Sequence, residues 1–215
     1  MSISELVLQN EQLICNLKNI CGESVYFVPY AVTPLEEQIA EICGLSLIGE
    51  NSEICRNVND KISVRNIANM LKFPITEGTI CTSLDDILPH YLDLLASNYG
   101  IPVKVVLKSL YNAAGKGMYI AENEKQVKTI VSILKRLKVA GSWILERWYE
   151  NKIDISFQMF ISPDGNINLL PVKRQFIKGT VYTGAMLPAS LPHETLKQLE
   201  SYGQTIGKYL FSTML

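Results

Sequence analysis

The sequence predicts a mixed α/β (α+β) protein, and three local patterns support this prediction. Residues 25–48 follow the order strand, capped helix, strand, which favours a parallel sheet. Residues 103–120 contain two apolar runs joined by a glycine-containing loop, which is typical of a hairpin. Residues 124–137 place their apolar side chains on one face of a helix. The chain therefore combines both kinds of sheet with amphipathic helices.

The elements before residue 100 are predicted from apolar periodicity and from capping residues. A helix is expected over 4–20, then strands over 25–28 and 45–48. Between these strands, Thr33-Pro34 is the start of a helix that stops at Gly44. Asn59-Asp60 caps a helix that Phe73-Pro74 closes, and Ser83 caps a helix that runs past Pro89 to residue 95.

The elements after residue 100 are predicted in the same way. Strands are expected over 103–107, 118–120, 143–148, 153–161 and 167–170. A helix covers 124–137, a turn at Pro163-Asp164-Gly165 joins the last two strands, and a final helix covers 194–210.

Composition argues against several classes of protein. Lys and Arg total 20 and Asp and Glu total 21 among 215 residues, so a basic nucleic-acid surface is not expected. The two histidines, His90 and His193, give a histidine zinc site or a Ser-His-Asp triad little support. No apolar stretch reaches the roughly 20 residues of a membrane span, and no signal-peptide pattern opens the chain. The five cysteines show no Cys-x-x-Cys spacing, so we expect a cytoplasmic protein without a membrane partner.

Lys108 is a candidate phosphate ligand. It ends the apolar run at 105–107 and is followed by the small residues Ala113, Ala114, Gly115 and Gly117. A lysine supplies a compact positive charge, and backbone N–H groups can approach an oxygen closely where side chains are small. The Gly-x-x-x-x-Gly-Lys spacing of a P-loop is absent. On these residues alone, an ordinary hairpin with a solvated lysine remains the alternative.

The order of motifs along the chain adds to this interpretation. Lys61 precedes a helix, the Lys108 strand and its glycine loop come next, and Trp143–Glu150 is followed by Asp154. This succession resembles the ATP-grasp superfamily, which includes D-alanine–D-alanine ligase and biotin carboxylase, and within it the peptide-ligase-like enzymes of natural-product pathways. The resemblance implies an ATP-grasp fold with a partial Rossmann-like amino-terminal domain over 1–58, a helical segment over 59–100, a lid over 101–150 and a partial carboxy-terminal subdomain over 151–215.

The resemblance also implies a role for individual residues. Lys61 and Lys108 correspond to nucleotide-contacting lysines, Lys108 touching the α- and β-phosphates, and Ala114, Gly115 and Gly117 to the loop that closes over them. Glu146, Arg147 and Trp148 correspond to the hinge strand beside the adenine, and Asp154 to a ribose ligand. Arg174 would hold the γ-phosphate or a substrate carboxylate, with Lys173 and Gly184 on the substrate side. The implied ligands are ATP, Mg²⁺ and a small carboxylate such as an amino acid or peptide.

The carboxy-terminal end departs from the family pattern. ATP-grasp ligases continue into strands that carry an acidic residue and a Glu-x-Asn pair for Mg²⁺, and this chain ends at residue 215 without them. We therefore expect a fold incomplete at this end, no metal ligands in the chain, and uncovered apolar side chains at Tyr209, Leu210 and Phe211. Such a surface would favour self-association or a partner that completes the sheet.

Three functions are compatible with the sequence. The chain is part of a ligase that makes an amide or thioester through an acyl phosphate, or a short protein that binds nucleotide without completing catalysis, or a non-catalytic interaction domain. ATP binding separates the first two functions from the third, and turnover separates the first from the second.

Overall fold

The computed structural model describes residues 1–20, 25–110 and 117–214, which fall into two compact units. The first unit is Met1–Val64 and the second is Arg65–Leu215. Helix α5 (Lys61–Met70) crosses the boundary between them. The Arg65 side chain therefore belongs to the second unit, although its helix begins in the first.

The described part of the first unit contains a small parallel sheet and several helices. Its elements are α1 (Ile3–Leu8), α2 (Glu11–Ile20), β1 (Tyr26–Phe27), α3 (Pro34–Cys43), β2 (Ser46–Leu47) and α4 (Ser52–Asn59). Strands β1 and β2 pair in parallel, which confirms the predicted strand–helix–strand unit. The single helix predicted over 4–20 is wrong, because Gln9 ends α1 and the Asn10 side chain accepts a hydrogen bond from the Leu13 N–H at 2.9 Å. Helix α4 was not predicted.

Helix α3 begins and ends where the sequence predicts. Thr33 caps it with Pro34 in the first turn, and Gly44 ends it in the left-handed conformation, with φ of 67°. The carboxylate of the buried Glu36 accepts hydrogen bonds from the hydroxyls of Ser4 and Thr33. Burial raises the pKa of Glu36, but these hydrogen bonds outweigh it and the net pKa is lowered. The charged form of Glu36 is thus held at the amino terminus of α3, where a negative charge is favoured.

The second unit begins with a four-stranded antiparallel sheet. Its elements are β3 (Gly78–Cys81), α6 (Ile87–Ser97), β4 (Val105–Ser109), β5 (Met118–Ala121), α7 (Glu124–Arg136) and β6 (Trp143–Arg147), and the sheet order is β3-β6-β4-β5. The hairpin β4–β5, helix α7 and strand β6 confirm their predictions. Strand β3 was not predicted, although it pairs with β6 along its whole length.

The starting points of α5 and α6 depend on local hydrogen bonds. Asp60 caps α5, because its carboxylate accepts hydrogen bonds from the backbone N–H groups of Ile62 at 2.7 Å and Ser63 at 3.1 Å, as the sequence predicts. Helix α6 begins at Ile87 and not at residue 84. Asp86 accepts a hydrogen bond from the Thr82 hydroxyl at 2.6 Å, and this turn takes the place of the predicted first helical turn.

The main core lies on one face of this sheet, beneath α6 and α7. Its strand residues are every second residue along β4 and β6, and side chains of the two helices pack on them. The buried cluster consists of Cys81, Ile87, Tyr91, Val103, Val105, Leu107, Ala121, Val127, Val131, Leu134, Trp143 and Leu145. Alternation along a strand sends the intervening residues to the opposite face. The second face of the sheet is therefore the one that can carry a polar site.

The remainder of the second unit contains short antiparallel pairs and a long helix. Its elements are β7 (Ile155–Ser156), β8 (Met159–Ile161), β9 (Ile167–Leu169), β10 (Lys173–Lys178), β11 (Val181–Met186) and α8 (His193–Met214). The sheets are β11-β10-β7 and β8-β9. The single strand predicted over 153–161 is wrong, because its two ends pair with different partners, β7 with β10 and β8 with β9.

Helix α8 packs closely on the β8–β9 hairpin through two glycines. A Cβ atom at Gly203 would lie 2.8 Å from the Leu169 side chain and one at Gly207 would lie 2.8 Å from the Ile167 side chain, so a larger residue at either position would require these side chains to shift. Near the end of α8, Phe211 lies against Gly165 in the hairpin turn, and Tyr209, Leu210 and Phe211 are each partly buried. The apolar surface expected to be uncovered at this end is therefore partly covered by the hairpin.

No helix among the described residues is both long and apolar enough to cross a bilayer.

The thiol of Cys81 gives a first testable prediction. Cys81 is fully buried, and burial, with a smaller contribution from the Asp86 carboxylate, raises its pKa from 9.0 to about 11. A raised thiol pKa stabilises the fold fully below pH 9.0, and this contribution is lost as the pH rises toward about 11. We expect a thiol reagent at about pH 8, below both of these pKa values, to label exposed Cys15 rapidly and Cys81 only after unfolding. The melting temperature should fall as the pH rises above 9.0.

The matched control is Cys81→Ala. It should lose one reactive thiol in denaturant, keep the rapid native labelling, and show a shallower alkaline loss of melting temperature. Rapid native labelling that disappears in Cys81→Ala would contradict the prediction.

Candidate functional site

The second face of the four-stranded sheet carries a group of charged side chains. Val106 lies opposite Glu146, and Lys108 lies opposite Ile144 in the antiparallel register of β4 and β6. Since Val105 and Leu107 point into the helix-covered core, Val106, Lys108 and Glu146 face the other way. The structure thus brings together two residues that the sequence proposes for the same site, Lys108 and Glu146.

The Glu146 carboxylate is shared between two cations. Its Oε1 atom lies 2.6 Å from Nη1 of Arg65, and its Oε2 atom accepts a hydrogen bond from Nζ of Lys108. The side chains of Arg65 and Glu146 are 8% and 11% exposed, whereas that of Lys108 is 27% exposed. Arg65 is therefore the buried partner of Glu146, and Lys108 is the partner that solvent or a ligand can reach.

Arg65 also holds the beginning of β3. Its Nη2 atom donates to the backbone carbonyl oxygens of Thr76 at 2.9 Å and Gly78 at 2.7 Å. The sequence prediction did not include Arg65. A signal was available, because Arg65 lies three residues after Ile62 and so falls in the apolar phase of α5, where a charged residue needs a buried partner.

The end of β6 forms a second cluster beside this one. The backbone N–H of Trp148 donates to the Lys104 carbonyl at 2.8 Å, which holds Trp148 against the start of β4. Nζ of Lys152 lies 4.6 Å from the centre of the Trp148 ring and 2.7 Å from the Asp154 carboxylate. Lys152 thus connects Trp148 and Asp154, the two residues proposed to contact the base and the ribose, and that assignment stays a prediction.

Lys104 lies on the same face of the sheet as Lys108, two residues from Val106. Its Nζ is 2.6 Å from the Glu150 carboxylate and 3.0 Å from that of Glu122. The hydrogen bond with Glu150, and next that with Glu122, raises the pKa of Lys104, and Lys104 in turn lowers the pKa of Glu150. These residues border an open groove of about 530 Å³ that Trp148 and Arg147 also line. The groove next to the end of β6 is therefore lined mainly by polar and charged side chains.

The Arg147 side chain follows Glu146 and so points to the opposite face of β6. Its Nη1 atom lies 3.1 Å from the Glu77 carboxylate, and its guanidinium carbon lies 5.7 Å from the centre of the Tyr149 ring. Arg147 is therefore not brought to the Lys108–Glu146 cluster by its side chain. Any contact between Arg147 and a nucleotide would therefore be made by its backbone, and this contact stays a prediction.

The residues proposed for the substrate side lie on a different sheet. Lys173 and Arg174 begin β10, where Nζ of Lys173 lies 2.6 Å from Oε1 of Gln158 and the Arg174 guanidinium carbon lies 5.8 Å from the Phe176 ring centre. Gly184, on β11, lies opposite Phe176 on β10. These contacts do not join them to Lys108 or Glu146, so their roles stay predictions.

The loop residues and Lys61 complete the set proposed from the sequence. Ala114 and Gly115 lie outside the described residues, and so does most of the loop between β4 and β5. Gly117 has φ of 66°, and its carbonyl accepts a hydrogen bond from the Ser109 N–H at 3.0 Å, which closes the described base of that hairpin. Lys61 is the first residue of α5 and belongs to the first unit, so its proposed nucleotide contact stays a prediction.

Comparison with known proteins bears on the family of this chain. The family model described as an ATP-grasp domain matches residues 87–212, which include strand β4 with Lys108, strand β6 with Glu146, and the later sheets. The chain belongs to the ATP-grasp family. The resemblance deduced from Lys108, its loop and the 143–150 segment is thereby confirmed, and so is the mixed α/β fold class.

Relatives and solved structures of this family cover much of the ATP-grasp chain. The butirosin acyl-carrier protein–L-glutamate ligase of Niallia circulans is 25% identical over 183 residues, covering 78% of this chain and 43% of that protein. The biotin carboxylase domain of Hydrogenobacter thermophilus 2-oxoglutarate carboxylase, crystallised with MgADP, has a TM-score of 0.69 at 21% identity, covering 99% of this chain and 47% of that one. D-alanyl-alanine synthetase A of Vibrio cholerae has a TM-score of 0.65 at 16% identity, covering 86% of this chain and 58% of that one. The chain thus spans about half the length of these proteins.

The family implies ATP and Mg²⁺, and the described residues fit these two ligands differently. Lys108, partly exposed beside a buried carboxylate, offers a cation to a phosphate. In residues 1–20, 25–110 and 117–214, no group of three or more His, Cys, Asp or Glu side chains is placed to hold a metal ion. Lys108 is thus a cation that a phosphate could approach, and its role toward a nucleotide stays a prediction.

Proposed function

We propose that this ATP-grasp chain binds ATP beside Lys108, on the second face of the β3-β6-β4-β5 sheet, and serves a ligase that activates a carboxylate as an acyl phosphate. The single observation that supports this best is the cluster of Lys108, Glu146 and Arg65. A partly exposed cation lies on that face, and a buried ion pair holds its partner carboxylate in place. Fixed charges are what phosphoryl transfer requires, because charge develops on the transferring oxygens.

In this proposal each residue near the hinge has a distinct role. Lys108 neutralises phosphate oxygens, and the hinge backbone at 146–149 reads the adenine edge. The Trp148 ring lies beside the base, while Asp154 and the loop residues Ala114, Gly115 and Gly117 complete the ribose and phosphate contacts. Support for the hinge comes from the Trp148–Lys104 backbone hydrogen bond, which fixes where β6 ends.

The proposed reaction has two steps. A substrate carboxylate oxygen attacks the γ-phosphorus of ATP, the bond from that phosphorus to the β,γ-bridging oxygen breaks, and ADP leaves. An amine or a thiol then attacks the acyl carbon, inorganic phosphate leaves, and the nucleophile loses a proton. Lys108 and Arg174 would stabilise charge on the phosphate oxygens, and a loop that excludes water would protect the acyl phosphate. The Niallia circulans relative joins L-glutamate to an acyl-carrier protein, so an amino-acid carboxylate is the first substrate class to test.

Calorimetry and thermal melting test the nucleotide site directly. Titrating the purified chain with ATP should give saturable binding, and ATP at about 100 times its dissociation constant should add about 2.7 kcal/mol to the free energy of unfolding. GTP is the matched control for the adenine contacts. A folded chain that shows neither heat nor a melting shift with ATP would contradict the proposal.

The acyl phosphate is tested separately by trapping. Incubation with ATP, Mg²⁺, hydroxylamine and a panel of amino acids should release ADP and form a hydroxamate with the true carboxylate substrate. ATP binding without hydroxamate would favour the alternative function, a nucleotide-binding chain that does not ligate by itself.

A further inference from the structure

Arg65 occupies a position that the proposed nucleotide site does not yet explain. It is buried on α5, far in sequence from the hinge, yet it forms an ion pair with Glu146 and donates to two backbone carbonyls at the start of β3. A buried arginine needs such partners, so the simplest explanation of these contacts is structural. The sharing of Glu146 between Arg65 and Lys108 suggests that Arg65 also affects how Lys108 binds a ligand.

We propose that Arg65 is a positioning residue for the nucleotide site, because it keeps Glu146 neutralised when Lys108 leaves that carboxylate to bind a phosphate. This inference rests on the proposed ATP site. The two Glu146 oxygens are divided between the cations, Oε1 to Arg65 and Oε2 to Lys108. Moving Lys108 therefore leaves the Arg65 pair intact.

The exposures of the three side chains support this division of roles. Glu146 is buried and cannot be left without a counter-charge except at a large free-energy cost. Arg65 is fixed by its three hydrogen bonds, whereas Lys108 is the more exposed of the two cations and has a flexible side chain. If Arg65 were absent, Lys108 would be the remaining counter-charge described for Glu146, and a phosphate would have to compete with that buried carboxylate.

The test compares ligands that differ only in their phosphates. Dissociation constants for ADP and adenosine are measured by calorimetry on the wild type, Arg65→Met and the double variant Arg65→Met/Glu146→Gln. We expect Arg65→Met to raise the dissociation constant of ADP by a factor roughly ten times larger than that of adenosine. The double variant should recover most of the ADP affinity, since it removes the uncompensated carboxylate while keeping a side chain of the same shape.

Other results would overturn the inference in recognisable ways. Equal losses for ADP and adenosine, without recovery in the double variant, would mean that Arg65 only supports the backbone at 76–78. Unchanged ADP binding in Arg65→Met would remove any role for Arg65 while leaving the ATP site standing. A wild type that binds neither ligand would overturn the proposed function itself, and the inference with it.

Arg65→Lys keeps the test decisive if Arg65→Met does not fold. Lysine retains the positive charge beside Glu146 but loses the forked geometry that reaches the Thr76 and Gly78 carbonyls. We expect it to melt at a lower temperature than the wild type and to bind ADP within about threefold of it. A loss of ADP affinity in Arg65→Lys as large as that in Arg65→Met, with adenosine affinity little changed, would contradict the electrostatic role.

Discussion

Lys108→Ala should weaken ATP binding roughly 10- to 150-fold, which corresponds to the loss of charge-assisted hydrogen bonds worth about 1.5–3 kcal/mol. The physical reason is that Lys108 is the partly exposed cation on the second face of the ATP-grasp sheet. Adenosine should bind the variant almost as well as the wild type, because it carries no phosphate. Calorimetric titration with ATP, ADP and adenosine measures the difference.

Lys108→Ala should leave the buried Glu146 carboxylate with a counter-charge. Glu146 keeps its ion pair with Arg65 at 2.6 Å, so the substitution does not leave a buried carboxylate without a counter-charge. We therefore expect the melting temperature to change little. The matched control is Lys128→Ala, which removes an exposed lysine that pairs with Glu124 on α7. Equal effects of the two lysine substitutions on ATP affinity would show that Lys108 does not contact the phosphates.

The sequence carries most of the information about the hairpin and the hinge strand. The β-branched run before Lys108, the glycine at 117 and the apolar stripe of α7 are local patterns, and each reports the element that it forms. Local patterns also found both members of the Lys108–Glu146 pair, because their order matched a known family. Their contact depends on the register of β4 with β6, which places Val106 opposite Glu146.

The features that the sequence did not reveal depend on contacts between distant residues. Arg65 and Glu146 are 81 residues apart, so no local pattern reports their ion pair. Strand β3 is short and begins with Gly78, and it is a strand because β6 supplies its backbone partners. The single strand predicted over 153–161 failed for the same reason, since the pairing partners of β7 and β8 lie in separate sheets. The proposed roles of Lys173, Arg174 and Gly184 likewise depend on a ligand pose that sequence order does not determine.

Gly78→Ala should strongly destabilise the second unit. Gly78 has φ of 153°, and a Cβ atom at this position would lie 2.1 Å from the Leu145 carbonyl oxygen and 2.7 Å from the Glu146 Cα atom. Both neighbours are backbone atoms of a central strand, so they cannot move aside as a side chain could. We expect a loss of at least about 3 kcal/mol in the free energy of unfolding, measured by denaturant titration.

The matched control separates this collision from the strain of positive φ alone. Gly141 has φ of 112°, and a Cβ atom added there would meet no atom within 4 Å, so Gly141→Ala tests conformation without contact and should cost about 1–2 kcal/mol. The difference between the two alanine variants then reports the close approach of β3 to β6.

Because the Gly78 carbonyl also accepts a hydrogen bond from Arg65 at 2.7 Å, a shift of β3 would displace the arginine that neutralises Glu146. Residual folded Gly78→Ala should therefore bind ADP less tightly than Gly141→Ala, and equal stability of the two variants would mean that β3 tolerates a wider separation from the hinge strand.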